Sequence, residues 1–296
     1  MASDQGFHET SYERHQDHYD SEQADDKAEE WLNDGSVDAW RHQRMYRTLD
    51  PILEADPDAR WLTIGDGRFG MEAQYILNHG CEALPTDIST ELLAEAEEMG
   101  LIPEYQQENA EALSFDDGSF DYVFCKESYH HFPRPMLALY EMLRVARKGV
   151  VLIEPSDSFI NAPLGKKLLD AAAGLADRSI GPGRFEFEES GNYKYTLSRR
   201  EMEKAALGLN YDTVAFKGIN DVYVSGVEDE QLSEDGPLQR KVRRWLTIKG
   251  LLCRFGFMNH SLLTAAIFKS EPPEPVRNGL SEADYDIVDL PDNPYI

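Results

Sequence analysis

The sequence predicts an α/β protein built on a mostly parallel sheet with helices on both faces. Three observations carry this. Segments of strand and helix character alternate from residue 60 to residue 155. The strand segments are short, nearly continuous apolar runs, as expected where both faces of a sheet are covered. Glycines and acids punctuate the junctions, so each unit reads as strand, turn, helix, turn.

Taken in order, Ser36 caps a helical pattern from Val37 to Leu53 that carries Trp40, Met45, Leu49 and Leu53. Arg60–Gly65 reads as a buried strand and Gly70–Asn78 as the helix after it, ended by Gly80. Ala83–Asp87 is a second strand, and Ser89 caps a helix through Met99 that stops at Gly100. Ile102–Gln106 and Phe120–Cys125 are the third and fourth strands. Pro135–Ala146 is a helix and Gly149–Glu154 the fifth strand. Beyond it, Phe159–Leu175 has helical character and Gly181-Pro182-Gly183 is a loop. Thr196 or Ser198 caps a helix through Leu209, and Tyr211–Val224 reads as strand with a break at Gly218. Pro237–Phe257 is a helix and Ser261–Lys269 a last strand. Five prolines and seven acids in residues 271–296 predict an extended tail.

Composition bounds the function. The chain has 296 residues, 41% of them hydrophobic and 28% charged, which is the balance of an ordinary folded domain. The absence of an apolar run of about 18 residues predicts no membrane-spanning helix. The polar, acidic N-terminus lacks an apolar signal region, and Cys81, Cys125 and Cys253 fit neither a disulfide framework nor a zinc site. Together these predict a cytoplasmic protein. The net charge is −26, of which −10 lies in residues 1–40 and −6 in residues 271–296. A field of that sign disfavours nucleic acids and anionic lipid as general partners.

The first strand runs into Gly65-Asp66-Gly67-Arg68-Phe69-Gly70 and then a helix. Glycines there let backbone approach a ligand, and the helix N-terminus offers free N–H groups. Asp87 ends the second strand, 22 residues after Gly65, where an acid can accept hydrogen bonds from two ribose hydroxyls. Turn and acid together point to a nucleoside-containing cofactor.

Thr63-Ile64-Gly65-Asp66-Gly67 and Thr86-Asp87-Ile88-Ser89 resemble the glycine-rich and ribose-binding motifs of the class I S-adenosylmethionine-dependent methyltransferases, in the branch with small-molecule acceptors (the type 11-like methyltransferases). Asn109-Ala110-Glu111 with Ser119-Phe120-Asp121-Tyr122-Val123, and then Glu141–Val145 through Glu154-Pro155, are similar to the later motifs in order and spacing. The resemblance spans residues 36–155. It implies a Rossmann-like sheet of seven strands with the last antiparallel, and S-adenosylmethionine as cofactor with no metal. It places Gly65, Asp66, Gly67, Asp87, Ile88, Asn109, Ala110, Glu111 and Lys126 at the cofactor, with Asn109 and Ala110 beside the adenine. The chain departs from the family pattern twice, with Thr63 where an acid is usual and Phe69 where a third glycine is frequent. A dinucleotide dehydrogenase shares the glycine turn and the acid, but it would continue as a second βαβ half.

After the fourth strand comes Lys126-Glu127-Ser128-Tyr129-His130-His131-Phe132-Pro133. Ligands of open α/β sheets bind beyond the carboxyl ends of the strands. Either His130 or His131 is therefore placed as a general base, or both shape the loop. Tyr19, Trp40, Arg41, Tyr129 and Tyr193 are the candidates for acceptor contact. Tyr12, His15, His18 and Tyr19 belong either to a lid over the site or to a disordered acidic arm. Gln239–Met258 carries six bases and no acid among apolar residues, which suits a membrane surface, a cleft wall for an anionic substrate, or a covering helix.

The resulting expectation is an N-terminal arm over 1–35, a methyltransferase domain over 36–270 and a tail over 271–296. The cofactor half is 36–155, and insertions at 156–196 and 226–258 build the acceptor pocket. The expected reaction moves a methyl group to oxygen or nitrogen of a small molecule such as a sugar or glycan precursor. The expected partner is that small-molecule acceptor, with no nucleic acid and no integral membrane association; the oligomeric state stays open. A lipid or quinone acceptor at a membrane surface and a non-catalytic cofactor-binding protein are the alternatives.

Overall fold

A computed structural model describes residues 6, 9–14, 16, 31–157, 186–187, 192–233 and 235–296. The sheet has eight strands in the order β3-β2-β1-β4-β5-β7-β6-β8. These are β1 (Arg60–Ile64), β2 (Glu82–Asp87), β3 (Gln106–Gln107), β4 (Phe120–Lys126), β5 (Ala146–Pro155), β6 (Thr213–Ile219), β7 (Leu262–Phe268) and β8 (Asp286–Asp289). Strands β1 to β5 pair in parallel, β7 runs antiparallel to β5 and to β6, and β8 runs antiparallel to β6.

The strands alternate their side chains between two cores. Leu62, Ile64, Val123, Cys125, Val150 and Leu152 point to one face. There they meet Leu139, Met142 and Leu143 of α5 (Pro135–Val145) and Met202 and Ala206 of α6 (Arg199–Gly208). Trp61, Tyr122, Phe124, Val151 and Ile153 point to the other. There lie Met45 and Tyr46 of α1 (Val37–Tyr46), Ile52 and Leu53 of α2 (Asp50–Ala55), and Ala73 and Ile76 of α3 (Met71–Asn78). Each large apolar side chain so buried stabilises the fold by roughly 1.5–3 kcal/mol. A third cluster joins Phe69 and Ile102 to Leu92, Leu93 and Ala96 of α4 (Glu91–Glu98). Helix α6 starts as expected at Ser198, whose hydroxyl accepts the N–H of Glu201.

Five expectations need correction. The helical pattern from Val37 to Leu53 is two helices, because Pro51 has no N–H and the chain turns at 47–49 before α2 starts. Ser89 does not cap α4, which starts at Glu91 after Thr90. The third strand shrinks to two residues, since Ile102 is spent filling the space under α4. The segment 271–296 is not an extended tail, and the sheet has eight strands rather than seven. Residues 274–282 form helix α8 (Glu274–Glu282), with a proline in its first turn, and Val276 and Leu280 are buried in the second core. An added Cβ on Gly279 would lie 3.1 Å from the Pro51 carbonyl oxygen, so glycine lets α8 sit close on α2. Strand β8 then completes the sheet. The predicted helix at 159–175 and the loop at 181–183 lie outside the described residues.

The sheet positions the site through its register. Ile64 pairs with Thr86 on one side and Cys125 on the other. The turns after β1, β2 and β4 therefore open at one edge of the sheet, side by side.

Candidate active site

A cavity of about 810 Å³ lies at that edge, reached by Gly65, Asp87 and Lys126 from the three strand ends. Its volume is within the range of cofactor sites. Gly65 has φ +74°, a conformation that favours glycine, and its N–H donates to the Thr86 carbonyl at 3.0 Å. The Gly67 N–H donates to Asp87 Oδ2 at 2.9 Å, and the Ser89 N–H to Oδ1 at 3.0 Å. A Cβ on Gly67 would lie 2.8 Å from the Asp87 carboxylate. Only a glycine fits between this acid and the space beside it. Burial pushes the Asp87 carboxyl up to about 6, against the backbone N–H groups that favour its charge.

Asp66 belongs to the scaffold rather than to the cavity wall. It is buried, accepts the N–H groups of Glu72 and Ala73 at 3.1 and 2.9 Å, and accepts the Thr63 hydroxyl at 2.7 Å. This corrects its expected cofactor contact, and it also accounts for Thr63. An acid at 63 would face the Asp66 carboxylate, whereas threonine donates to it. The second departure has a similar resolution, because Phe69 itself adopts φ +56° and drives its ring under α4. Such a backbone conformation costs a non-glycine residue on the order of 1 kcal/mol, which burial of the ring offsets.

Below the glycine turn, Glu72 accepts from Tyr46 at 3.1 Å and from Lys126 Nζ at 3.2 Å. Lys126 also pairs with Glu127 at 3.3 Å. Burial works against the Lys126 charge, but Tyr46, Glu72 and Glu127 outweigh it and hold its pKa above the ordinary value. Glu127 follows β4 at φ +50°, a strained placement of the kind that clusters at functional sites. Arg41 of α1 lines the same wall, bound to Asp38 and to Asp221. His42, beside it, is pushed well below its ordinary pKa by burial and by the charges of Lys126, Arg41 and Arg68, so it is neutral.

Ile88, Asn109, Ala110 and Glu111 line the opposite wall. The Asn109 side chain accepts the Glu111 N–H at 2.9 Å, which fixes the turn. Glu111 is taken up by neighbours: it accepts the backbone N–H and Nε of Arg134, both at 2.6 Å, and the Tyr12 hydroxyl at 2.5 Å. Through that contact and a hydrogen bond from Ser11 to Asn192, the helical residues 9–14 close one side of the cavity.

His130 and His131 lie in a 3-10 turn after β4, and both line the cavity. Their rings are 3.9 Å apart between centroids. His130 Nδ1 lies 2.6 Å from Glu154 Oε2, at the end of β5. The other Glu154 oxygen accepts the N–H groups of Ser128 and Tyr129 at 2.9 and 2.8 Å. The fully buried Glu154 therefore stays an acceptor, places the proton on Nδ1 and leaves Nε2 as the basic nitrogen. Nε2 makes no hydrogen bond among the described residues. Glu154 was not among the expected site residues. Its signal was a lone acid closing an apolar strand.

Three of the residues expected at the acceptor do not line the cavity. Trp40 packs between Arg44 and Arg243, outside the cavity. Tyr129 is fully buried, and its hydroxyl meets the Met136 sulfur at 3.3 Å. Tyr193 is turned to Phe187 and Tyr195 away from the cavity. Tyr19, His15 and His18 lie outside the described residues. Reasoning along the chain missed Asp221, Tyr223, Glu228 and Asp229, which the loop after β6 brings to the cavity mouth. Among the described residues no group of three or more His, Cys, Asp or Glu is arranged to hold a metal ion, and no helix is long and apolar enough to cross a membrane.

Residues 62–153 match the family model described as a methyltransferase domain. An uncharacterized protein of Mycobacterium tuberculosis is 35% identical over 117 residues, which cover 36% of this chain and 42% of that protein. The malonyl-[acyl-carrier protein] O-methyltransferase of Enterobacter lignolyticus is 32% identical over 109 residues, covering 36% of this chain and 43% of that protein. The chain thus matches about two-fifths of the length of these curated relatives. Among solved structures, a SAM-dependent methyltransferase from Archaeoglobus fulgidus superposes with a TM-score of 0.48 at 13% identity, over 77% of this chain and 94% of that one.

The residues present fit the cofactor. A glycine pair with space only for backbone, a half-buried acid beside it and the Asn109-Ala110 wall form a continuous cradle along the cavity.

Proposed function

We propose that the chain transfers the methyl group of S-adenosylmethionine to an oxygen or nitrogen of a small-molecule acceptor, with hydroxyl-rich compounds such as sugars or glycan precursors as the favoured class. One observation carries the reading: the Asp87–Gly67 cradle and the His130–Glu154 pair open into a single cavity.

When bound, S-adenosylmethionine supplies a methyl group on a positively charged sulfur, which keeps the electron pair of the broken bond as the acceptor's lone pair takes the methyl. Asp87 holds the ribose hydroxyls. Gly65 and Gly67 admit the backbone to close range, and Asn109 and Ala110 flank the base. Lys126 and Arg41 provide positive charge on the wall below the glycine turn. His130 Nε2 takes the proton of an acceptor hydroxyl as the new bond forms, or that of an acceptor ammonium before its nitrogen attacks, and Glu154 stabilises the imidazolium that results. Asp221, Glu228 and Asp229 at the mouth are hydrogen-bond acceptors, which suits an acceptor rich in hydroxyls and disfavours an anionic one. The Enterobacter relative is named as an O-methyltransferase of a malonyl group, which supports oxygen as the receiving atom but not a neutral acceptor, since a malonyl group presents a carboxylate.

The test is incubation with methyl-labelled cofactor and a panel of neutral, cationic and carboxylate acceptors, for the wild-type protein and His130→Gln. Label transfer to a neutral hydroxyl compound that His130→Gln reduces supports the reading. Transfer only to carboxylates, unaffected by the substitution, contradicts the role of His130, because a carboxylate has no proton to remove. Cofactor binding with no transfer to any acceptor favours a non-catalytic role.

A further inference from the structure

Helix α7 (Pro237–Arg254) contributes nothing to the cavity, so it is not a cleft wall for an anionic substrate. Its inner side is held by Gln239 and Val242, both buried, and by Leu238 and Leu246 packed on Val37 and Val227. The outer side is unusual. Trp245, Ile248, Leu252 and Phe255 follow one another at spacings of three and four residues and form one stripe on the helix. Trp245 and Phe255 are 48% and 69% exposed, and Leu251, Leu252 and Phe257 are exposed beside them. Lys241 stands one turn before Trp245 in line with the stripe and Arg244 lies beside it, and neither these two nor Arg254 makes an ion pair among the described residues.

The charge pattern says what covers this stripe. No acid occurs from Pro237 to Ser270, in a chain of net charge −26. Exposed charges more than about 10 Å apart are largely screened at physiological salt, so the bases of α7 act locally, with Asp235 beside Arg240 and Glu230 at the helix start. We propose that α7 is a docking helix for an anionic lipid bilayer, with the Trp245–Phe255 stripe seated among the headgroups and acyl chains and the bases on lipid phosphates. A helix of this length, with aromatic and aliphatic residues on one stripe and bases beside it, lies in the plane of a membrane interface. A fluid surface asks for no shape complementarity, and the stripe offers a convex helix rather than a groove.

The docked helix would sit next to the cavity. Lys249 Nζ donates to the Asp221 carbonyl at 2.9 Å, and Arg243 lies 4.7 Å over the Trp40 ring of α1. Asp221 and, on α1, Arg41 both line the cavity. The proposal concerns where the protein works and does not depend on which acceptor it methylates.

Co-sedimentation with vesicles of phosphatidylcholine alone, and of phosphatidylcholine with about one-third phosphatidylglycerol, tests it. The full chain is expected to bind the anionic vesicles, with a blue shift of tryptophan emission, and to dissociate at 0.5 M salt. Arg244→Glu with Lys241→Glu, and separately Trp245→Ala with Phe255→Ala, are each expected to weaken partitioning about tenfold or more. Far-UV circular dichroism and S-adenosylhomocysteine binding of these variants read whether the fold and cofactor site are intact. The proposal is overturned if the wild-type protein ignores anionic vesicles, or if both double variants bind them as the wild type does. Concentration-dependent dimerisation lost in the Trp245→Ala/Phe255→Ala variant, without vesicle binding, would also overturn it in favour of contact with a second copy.

Discussion

Glu154, at the end of β5, and His130, in the turn after β4, are joined by a 2.6 Å contact between Oε2 and Nδ1. The same carboxylate holds two N–H groups of that turn, so it fixes both the position of the ring and the nitrogen that carries the proton. Glu154→Gln keeps the shape but can present its NH₂ to Nδ1 and reverse the tautomer. Turnover is expected to fall about 10²-fold or more with affinity for S-adenosylhomocysteine changed less than threefold. His131→Gln is expected to cost much less than His130→Gln. Steady-state kinetics with binding measured in parallel would check both.

A pH dependence follows from Asp87. Burial holds its carboxyl at about 6 in the unliganded protein, and the charged form is the better acceptor for ribose hydroxyls. Binding favours the charged form, so it lowers this pKa and releases a proton near pH 6. Affinity for S-adenosylhomocysteine is expected to be flat above pH 7 and to fall as pH drops through 6. Titrations from pH 5 to 8 would read this, and Asp87→Asn should remove the slope in that window.

Gly67→Ala places a methyl group 2.8 Å from the Asp87 carboxylate. The loop or the acid must shift, and the ribose contact shifts with it. Cofactor affinity is expected to drop at least tenfold, while the melting temperature changes little, because the three atoms nearest the methyl group belong to one acid side chain at the cavity. Calorimetric titration and thermal unfolding separate the two effects.

The C-terminal segment is part of the fold, and Leu280→Ala tests that. Leu280 is fully buried in the second core beside Val276. Its truncation is expected to destabilise the protein by about 2–5 kcal/mol. An unchanged denaturation midpoint would mean that α8 does not pack on α2 in solution.

The half of the molecule that was legible in the sequence is the half with local periodicity. Strands such as Trp61–Ile64 and Val150–Ile153 are buried on both sides and read as apolar runs. The positions of Gly65, Gly67 and Asp87 followed from turn chemistry and spacing along the chain. Residues whose role depends on packing were less legible. Tyr129 has the same local pattern whether its ring faces the cavity or the core, and the core won. Of the two neighbouring candidates on α1, Arg41 lines the cavity and Trp40 does not. Prolines in 271–275 suggested an extended tail, yet proline is equally at home in the first turn of a helix. Asp221, Glu228 and Ser11 reach the cavity from segments distant in sequence, and no spacing rule foretells that.

The central claim is that Asp87 anchors the ribose of S-adenosylmethionine in the cavity beyond β1, β2 and β4. The most direct measurement is calorimetric titration of the protein with S-adenosylmethionine and S-adenosylhomocysteine, for the wild type and Asp87→Ala. One site in the micromolar range is expected, weakened in the variant by about 1–3 kcal/mol, the loss of a charge-assisted hydrogen bond or a pair of them. An Asp87→Ala protein that binds as tightly as the wild type, or a folded wild type that binds neither compound, would contradict the claim.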